Sequence, residues 1–388
     1  MEISTNRYEV ILAFLSIFPI ILFVRRLRLF ISFFASERAY ANELELPSTL
    51  RDWRNFDDGP VLWESLRPLL KAVGLEIWQH DPPLDLCQAP SAQLSLRQTG
   101  YLFAHTERQD PNSTANGSLG QLRSFRLRNP LFRPARTLDG QDVRIRAIVI
   151  KQDGSSHLKI LRRLATGANS LISGNHTLPM LREIPLNDIV FAVFPLVGSS
   201  MELSCMSWTQ NSVEDILEMI MQALEGLVFI HRLGIAHRDA FHDNFLVQWQ
   251  PESLLAADMF CSRPRVYLID FEVAVELPKV GPPEQKLCRG LPIGGSYTDP
   301  ERYARPAPSD VLRGDAYDPF KLDVWQLGYP LVARKFKTRH AEIDGLLPTL
   351  CSDDPDLRIS SEVALRNLTA AVRSAPSSCL RARPSWYK

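Results

Sequence analysis

Hydrophobic residues follow three different patterns along the chain. Residues 10–24 contain no charge, residues 143–150 and 189–194 are short apolar or β-branched runs, and apolar positions recur every three to four residues over 213–232. Short runs of this kind predict buried strands, and the helical period predicts an α-helix.

The apolar segment near the start is short, and its flanking charges are unusual. Arg25, Arg26 and Arg28 follow it, and Pro19 interrupts it. A spanning helix needs about 20 apolar residues, and a secretory signal carries its positive charge before the apolar core. We interpret residues 1–35 as an N-terminal membrane anchor or leader, with residues 8–35 as the tether and the rest of the chain cytoplasmic. The alternative is a buried or interfacial amphipathic helix.

Residues 36–128 are interpreted as an irregular N-terminal extension. A Ser/Thr-x-x-Asp pattern within residues 46–53 indicates a helix start. Apolar spacing predicts a helix over residues 61–73. Residues 106–120 are rich in Asn, Ser, Gly and Asp without periodicity, which is typical of a loop or linker.

Polar residues come after the long predicted helix at a spacing that has a chemical meaning. His237, Arg238 and Asp239 are followed, after four more residues, by Asn244. This string is typical of a kinase catalytic loop, in which the Asp accepts the proton of the attacking hydroxyl and the Asn binds magnesium. Such a short string also occurs in solvated charged loops, so the interpretation depends on the motifs downstream of Asn244.

The next apolar strand ends at a second candidate metal ligand. Residues 266–269 lead into Asp-Phe-Glu at 270–272, a variant of the Asp-Phe-Gly in which the Asp binds magnesium. If strand 245–247 pairs with strand 266–269, Asn244 and Asp270 reach the same cation. Two oxygen ligands suit Mg²⁺, which keeps waters and phosphate oxygens in its remaining positions. This convergence favours a kinase site over a chance match.

Two elements upstream are candidates for nucleotide binding. Strand 143–150 ends at Lys151, as does the kinase strand whose Lys pairs with the nucleotide phosphates. The alternative is an ordinary exposed Lys at a strand end. Strand 189–194 continues through Pro195 and Leu196 into the predicted hinge, so Phe194 and Leu196 would lie beside an adenine.

Residues 278–300 are rich in Gly and Pro and lie where an activation segment belongs. Asp299-Pro300-Glu301 stands in for the Ala-Pro-Glu of kinases. A phosphorylated residue here would suit Arg238, because phosphate on an activation loop pairs with arginine. The candidate phosphorylation sites are Ser296, Tyr297 and Thr298, and the alternative is an unmodified surface turn.

Two motifs towards the end of the chain complete the series. Asp323 begins Asp-Val-Trp-Gln-Leu-Gly, which looks like the kinase helix whose Asp braces the catalytic loop. Arg358 lies in Asp-Pro-Asp-Leu-Arg, which resembles the late element whose Arg pairs with the Glu of Ala-Pro-Glu, here Glu301. The last helix is predicted over 361–373. The joint order and spacing of these elements are specific, although each is weak alone.

On these residues the chain resembles the protein-kinase superfamily, and it looks most like the kinase-like proteins of basidiomycete (mushroom-type) fungi. Leu46-Pro47 with Trp53, and Ile269 to Glu272, carry the second likeness. It implies an α+β, two-lobed kinase-like fold, with a small β-rich N-lobe at 129–197 and a mainly helical C-lobe at 198–373. Residues 374–388 are interpreted as a tail, disordered beyond Ser374. The resemblance also implies ATP and Mg²⁺, and transfer of the γ-phosphate to a Ser, Thr or Tyr hydroxyl. His237 and Phe271 would then be structural residues of the site.

Four departures from the kinase pattern bear on activity. No Gly-x-Gly-x-x-Gly precedes Lys151, and His157 stands where a carboxylate would pair with that Lys. Phe241 replaces the usual Lys beside the catalytic Asp, with His242 as an alternative donor, and Glu272 replaces a Gly. An active protein kinase, a pseudokinase scaffold that binds nucleotide or a protein partner, and a small-molecule kinase of the same fold all remain open.

Composition narrows the partners without changing this interpretation. Lys+Arg and Asp+Glu both total 44, so no basic field favours nucleic acid. The six cysteines are far apart, which favours reduced cysteines of a cytoplasmic domain over a zinc site or a disulfide framework. The expected partners are ATP, a protein substrate or partner, and a membrane if residues 8–35 insert into one.

Overall fold

The computed structural model describes residues 44–90, 101, 104–106, 119–121, 124–127, 129–206, 211–248 and 263–385. The predicted anchor in residues 8–35 lies outside them. Within the described ranges, none of the helices has the length and apolar character needed to cross a membrane. The fold is mixed α and β, with a curled antiparallel sheet and eleven α-helices in the described part, so the predicted α+β class is confirmed.

The helices and strands of the described residues have these bounds. The helices are α1 (Leu50–Arg54), α2 (Gly59–Ser65), α3 (Arg67–Ala72), α4 (Ser155–Leu164), α5 (Met201–Met206), α6 (Val213–Arg232), α7 (Ser309–Leu312), α8 (Pro319–Ala333), α9 (Ala341–Leu350), α10 (Ser361–Ser374) and α11 (Ser377–Leu380). The strands are β1 (Leu75–Ile77), β2 (Gln79–Asp81), β3 (Leu86–Gln88), β4 (Ala104–Thr106), β5 (Leu119–Gln121), β6 (Ser124–Arg126), β7 (Phe132–Thr137), β8 (Asp142–Ile150), β9 (Arg182–Leu186), β10 (Ile189–Pro195), β11 (Ile235–Ala236), β12 (Phe245–Gln248), β13 (Arg265–Leu268), β14 (Val275–Glu276), β15 (Cys288–Arg289) and β16 (Ala316–Tyr317).

Five antiparallel strands form the main sheet in the order β1-β7-β8-β10-β9. β8 lies at its centre and pairs with both β7 and β10, as its continuous β-branched sequence predicts. Because successive side chains of a strand point to opposite faces, β8 contributes to two different cores. Ile145 belongs to a cluster with the N-terminal helices, whereas Ile148 belongs to the large helical core.

The N-terminal extension packs against the sheet through two tryptophans. Trp53 of α1 and Trp63 of α2 lie with their ring centroids 5.8 and 5.7 Å from that of Phe191 in β10. Both indole nitrogens donate to the carbonyl oxygen of Pro130, at 3.1 and 2.6 Å. The extension is therefore part of the same core as the sheet.

The predicted helix over residues 61–73 is two helices in the structure, α2 and α3. Pro68 lies in the first turn of α3, where its missing N–H costs nothing, but inside one continuous helix it would remove a hydrogen bond. The Ser/Thr-x-x-Asp pattern does start a helix, because the Thr49 hydroxyl accepts a hydrogen bond from Asp52 N at 3.0 Å.

Helix α6 is the centre of the helical part and has the bounds that its periodicity predicts. Ser212 and Asp215 form a capping box at its start, which satisfies backbone donors that would otherwise be unpaired. α8 and α10 pack against it. The tail beyond Ser374, predicted to be disordered, contains α11 in its described part, and Ala382 O accepts a hydrogen bond from Val213 N at 2.9 Å.

Candidate active site

Asp323, at 0% exposure, fixes the loop that contains His237 and Asp239. Its two carboxylate oxygens accept hydrogen bonds from the backbone N–H groups of His237 and Arg238, at 2.8 and 2.6 Å. Gln326, one turn later on α8, accepts from Ala240 N at 2.8 Å. All three N–H donors lie within residues 237–240. By binding them together, α8 determines the backbone shape of the loop, including the positive φ of 66° at Arg238. This is the bracing position expected for Asp323.

The pairing of β12 with β13 brings the two predicted metal ligands towards each other. Phe245 pairs with Leu268 at the end of the two strands. The next residues, Asn244 and Ile269, are therefore adjacent, and Ile269 N donates to Asn244 O at 2.9 Å. The Asn244 amide nitrogen donates to Asp239 O and Oδ2, at 2.8 and 2.7 Å. Asp239 and Asp270 line one cleft of about 380 Å³. Asn244 thus contacts Asp239 and the residue before Asp270, and a cation shared by Asn244 and Asp270 stays a prediction.

Two aromatic contacts hold the loop against the second strand. The His237 Nε2 atom lies 2.8 Å from Ile269 O, and the His237 ring meets Phe271 edge-on at a centroid distance of 4.9 Å. Phe271 is fully buried. His237 and Phe271 therefore occupy structural positions, as expected.

Asp239 lies in an environment that opposes its ionisation. Burial raises its pKa to about 7, and although Arg305 lowers the pKa, the carboxylates of Asp270 and Asp243 raise it further. A carboxylate with a pKa near neutral is matched to accepting a proton at physiological pH. The charge and position of Asp239 suit the general base of a hydroxyl substrate.

Arg305 is a site residue that the sequence did not reveal. Its Nε lies 3.3 Å from Asp239 Oδ1, its Nη1 lies 2.7 Å from Asp243 Oδ2, and its guanidinium lies 5.1 Å from the ring centroid of Phe241. Arg305 is 66 residues from Asp239 in sequence. No local pattern marks this pairing.

The structure does not bring Lys151 to the cleft. Lys151 follows β8 in a turn, with φ of 56° and an exposed side chain, and its N–H donates to Asp188 O at 2.7 Å. The cations that line the pocket beside Asp270 are instead Arg144 and Arg146, in the middle of β8. The sequence feature that could have identified both arginines is the alternation Val-Arg-Ile-Arg at 143–146, because residues two apart in a strand point to the same face of the sheet.

Arg146 is the buried centre of an ion-pair network. Its guanidinium donates to Asp270 Oδ1 and to Glu272 Oε2, each at 2.7 Å. Burial alone raises the pKa of Asp270, but Arg146 outweighs this effect and holds the pKa well below its usual range. Glu272 also accepts a hydrogen bond from Ser296 N. The Glu that replaces the usual Gly therefore joins the cleft to the predicted activation segment.

Arg144 lies beside this network with a different set of contacts. Its guanidinium stacks on the ring of Phe132, 3.5 Å from the centroid, and makes no ion pair in the described part of the chain. Burial and then the neighbouring Arg146 lower its pKa to about 9. An anion bound in the pocket would favour the charged form of Arg144 and so raise its pKa again.

His157, which stands where a carboxylate was expected, and His242, the alternative donor beside Asp239, are both buried. Burial lowers the pKa of His157 to about 3 and that of His242 to about 4, so both are neutral at pH 7. His242 Nε2 lies 2.9 Å from Leu327 O, which directs the ring into the protein rather than towards the cleft. His242 therefore does not supply a charge beside Asp239.

The two predicted hinge residues have different surroundings. Phe194 lines the pocket that contains Arg144 and Asp270. Leu196 is buried instead against Trp78 and Cys87, and its N–H already donates to Asp142 O at 3.0 Å. The structure brings Phe194 to the pocket and does not bring Leu196 there.

The expected ion pair between Glu301 and Arg358 is not present, and this prediction is wrong. Arg358 makes a bidentate pair with Asp310 of α7, at 2.6 and 2.9 Å, and both side chains are buried. Glu301 is exposed on a 3₁₀ turn, where its N–H donates to the Asp299 carboxylate. The sequence feature that could have identified Asp310 as the partner is Ala307-Pro308, which comes just before it and resembles the first two residues of Ala-Pro-Glu.

The candidate phosphorylation sites differ in accessibility. Ser296 is buried and its hydroxyl accepts from Arg54 Nη1 at 2.9 Å. The Tyr297 hydroxyl donates to Arg302 O, and Thr298 is exposed. Arg238 is directed at neutral groups, Leu291 O and Tyr317 Oη, both at 3.3 Å. Arg238 thus holds the segment through uncharged oxygens.

The donor set around Asp239 fits a magnesium ion. No group of three His, Cys, Asp or Glu able to hold a metal occurs among the residues that the structure describes. A magnesium ion shared with phosphates needs only one or two protein oxygens. The Asn244 nitrogen is engaged with Asp239, which leaves the amide oxygen for a cation, and Asp270 has its Oδ2 besides the oxygen bonded to Arg146.

Comparisons with known proteins give no family for this chain. No protein-family model matches it, and no curated protein is significantly similar. The function therefore has to be inferred from the geometry of the site.

Proposed function

We propose that the chain is a two-lobed, kinase-like phosphotransferase that uses ATP and Mg²⁺ to phosphorylate a Ser, Thr or Tyr hydroxyl. One observation carries the proposal. Asp323 binds two consecutive backbone N–H groups of the His-Arg-Asp loop, and that loop places Asp239 in the same cleft as Asp270. The five-stranded sheet would be the core of the smaller lobe, and the helices around α6 would form the larger one.

The site residues have separate roles in this proposal. Asp239 accepts the proton of the attacking hydroxyl, for which its raised pKa is suited. The oxygens of Asn244 and Asp270 would hold magnesium, which supplies charge neutralisation to the phosphates when bound. Asn244 also orients Asp239 through the two hydrogen bonds of its amide nitrogen. Positioning and electrostatic stabilisation are the main contributions in this type of reaction.

The phosphate-binding role expected of Lys151 is assigned to the arginines of β8 in this proposal. Arg146 would hold Asp270 in place and contact the phosphates from the same face. Arg144 stacks on Phe132 and has no carboxylate partner in the described residues, so phosphate oxygens suit its guanidinium. Asp270 and Glu272 replace the carboxylate that kinases supply from the helix after this strand, where His157 stands.

The test compares phosphate transfer by the full chain with that by Asp239→Asn, using labelled Mg-ATP and a generic protein substrate. We expect turnover at least a hundredfold above the variant. A matched pair of variants tests the phosphate clamp: Arg146→Ala should abolish the thermal shift produced by Mg-ATP, whereas Lys151→Ala should leave it unchanged. Equal transfer by the wild type and Asp239→Asn would refute the proposal.

A pseudokinase scaffold is the second candidate, and one observation favours it. The carboxylates of Asp239 and Asp270 are both already paired with arginines of the chain itself, Arg305 and Arg146. A scaffold would show no turnover above Asp239→Asn, with or without a thermal shift in Mg-ATP. The cytoplasmic location expected from the sequence stays a prediction under either candidate.

A further inference from the structure

The candidate site lacks a cation where the kinase pattern has one. Phe241, two residues after Asp239, packs into an apolar cluster with Val311, Tyr317 and Trp325. His242 is neutral and bonded to a backbone carbonyl. Neither Phe241 nor His242 therefore provides a positive charge beside Asp239, and the Arg238 guanidinium is directed at Leu291 O and Tyr317 Oη instead. In phosphoryl transfer, however, the transferred group carries negative charge spread over its three equatorial oxygens, and a nearby cation stabilises that charge in the transition state.

A side chain from a distant segment fills this position. Arg305 stacks over the Phe241 ring and pairs with the carboxylates on both sides of it, Asp239 and Asp243. Three of its five N–H groups make these contacts, and the side chain is 35% exposed into the cleft that also contains Asp270. The other two N–H groups take part in none of these contacts with Asp239 and Asp243.

The backbone around Arg305 is suited to holding this placement. Pro306 follows it directly and Pro308 follows two residues later, and both restrict the local dihedral angles. Tyr303, on the other side, is half-buried and lines the same cleft. Downstream, the segment is tied down by the buried pair of Asp310 with Arg358. The segment that follows Arg305 is thus anchored in the protein rather than free.

We propose that Arg305 is a catalytic residue that binds the transferring γ-phosphoryl group, supplying from just beyond the predicted activation segment the charge that Phe241 does not. This inference rests on the proposed function. In the step, the substrate hydroxyl oxygen bonds to the γ-phosphorus, and the bond from that phosphorus to the β,γ-bridging oxygen breaks. ADP leaves with the electron pair, and the hydroxyl proton passes to Asp239.

The test uses the full chain and three variants. Arg305→Gln removes the charge and keeps the size, Arg305→Lys keeps the charge, and Arg302→Ala is the control, since Arg302 lies on the same segment and pairs with Asp299 instead. Each variant is measured for kcat with saturating Mg-ATP. Calorimetry then gives the Kd for Mg-ADP and for a non-hydrolysable Mg-ATP analogue, and a melting curve confirms folding.

We expect Arg305→Gln to lower kcat about 10²- to 10³-fold, as for the loss of one oxyanion donor. It should weaken the Mg-ATP analogue about tenfold and leave the Kd for Mg-ADP unchanged, because only the analogue carries a γ-phosphoryl group. Arg305→Lys should keep most of the kcat, and Arg302→Ala should match the wild type.

Different failures have different readings. If the wild type turns over and Arg305→Gln equals or exceeds it, the Arg305 inference is overturned while the proposed function stands; a gain would mean that Arg305 locks the site. If the wild type does not exceed Asp239→Asn but Arg305→Gln still weakens the analogue selectively, the proposed function fails and γ-phosphoryl binding by Arg305 is supported. Equal analogue affinity in both proteins overturns the inference in every case.

Discussion

The buried pair of Arg358 with Asp310 leads to a sharp stability prediction. The two side chains are 1% and 3% exposed and share two hydrogen bonds, at 2.6 and 2.9 Å. Asp310→Ala would leave the Arg358 guanidinium buried without a counter-charge. Removing one partner of a buried pair typically costs about 3–5 kcal/mol.

The other hydrogen bonds of Arg358 indicate that the cost of Asp310→Ala lies at the lower end of that range. Its Nε donates to Ser352 O at 2.9 Å and its Nη2 to Asp353 O at 3.1 Å, so part of the guanidinium stays satisfied after the substitution. We therefore expect a loss of about 3 kcal/mol in the free energy of unfolding.

Urea unfolding of the full chain, followed by circular dichroism, measures the effect. Glu301→Ala is the matched control, because Glu301 is exposed and unpaired with Arg358, and it should change stability by no more than about 0.5 kcal/mol. The double variant Asp310→Leu with Arg358→Met should recover most of the loss, since both charges are then absent. A cost below about 1 kcal/mol for Asp310→Ala, well under the range for a broken buried pair, would refute the reasoning, as would an equal cost for Glu301→Ala.

Two further predictions concern pH and backbone conformation. With the pKa of Asp239 raised to about 7, the proposed transfer rate should fall as the pH drops through that value, because the base must be ionised. Asp243→Asn removes a like charge and should move this acidic limb to lower pH; a limb that stays in place or rises contradicts the assignment. Gly154→Ala should cost about 3 kcal/mol or more in thermal unfolding, since φ is 85° there and the new methyl would lie 1.9 Å from a carbonyl oxygen of the preceding strand. Gly140→Ala, with the same φ and open space around it, should cost only about 1–2 kcal/mol, and equal losses would remove the steric argument.

The sequence predicted the parts of the site that depend on short spacing. Asp239 and Asn244 are five residues apart in one loop, and the strand that ends before Asp270 is read directly from its apolar run. The helix that leads into the loop was predicted with the bounds that the structure shows. Local patterns identify these residues because the spacing within the loop and the apolar runs of the strand and helix lie within single elements, although the shape of the loop depends on Asp323 and Gln326 of α8.

The missed residues all act across long stretches of chain. Arg146 reaches Asp270 over 124 residues, Arg305 reaches Asp239 over 66, and Asp310 reaches Arg358 over 48. For Arg146 and Asp310 the sequence offered another candidate of the same charge, Lys151 and Glu301. The tertiary path of the backbone decides which of two similar side chains contacts a partner. A pattern within one helix or strand carries no information about that path.

The packing of the two N-terminal tryptophans has a consequence for synthesis. Trp53 is made well over a hundred residues before Phe191, the ring that it packs against in the finished core. At a translation rate of about 5–20 residues per second, α1 and α2 leave the ribosome on the order of ten seconds before that partner. During this interval their apolar faces lack the strand that covers them in the finished core. The extension thus exposes apolar surface that is prone to aggregation while the chain is being made.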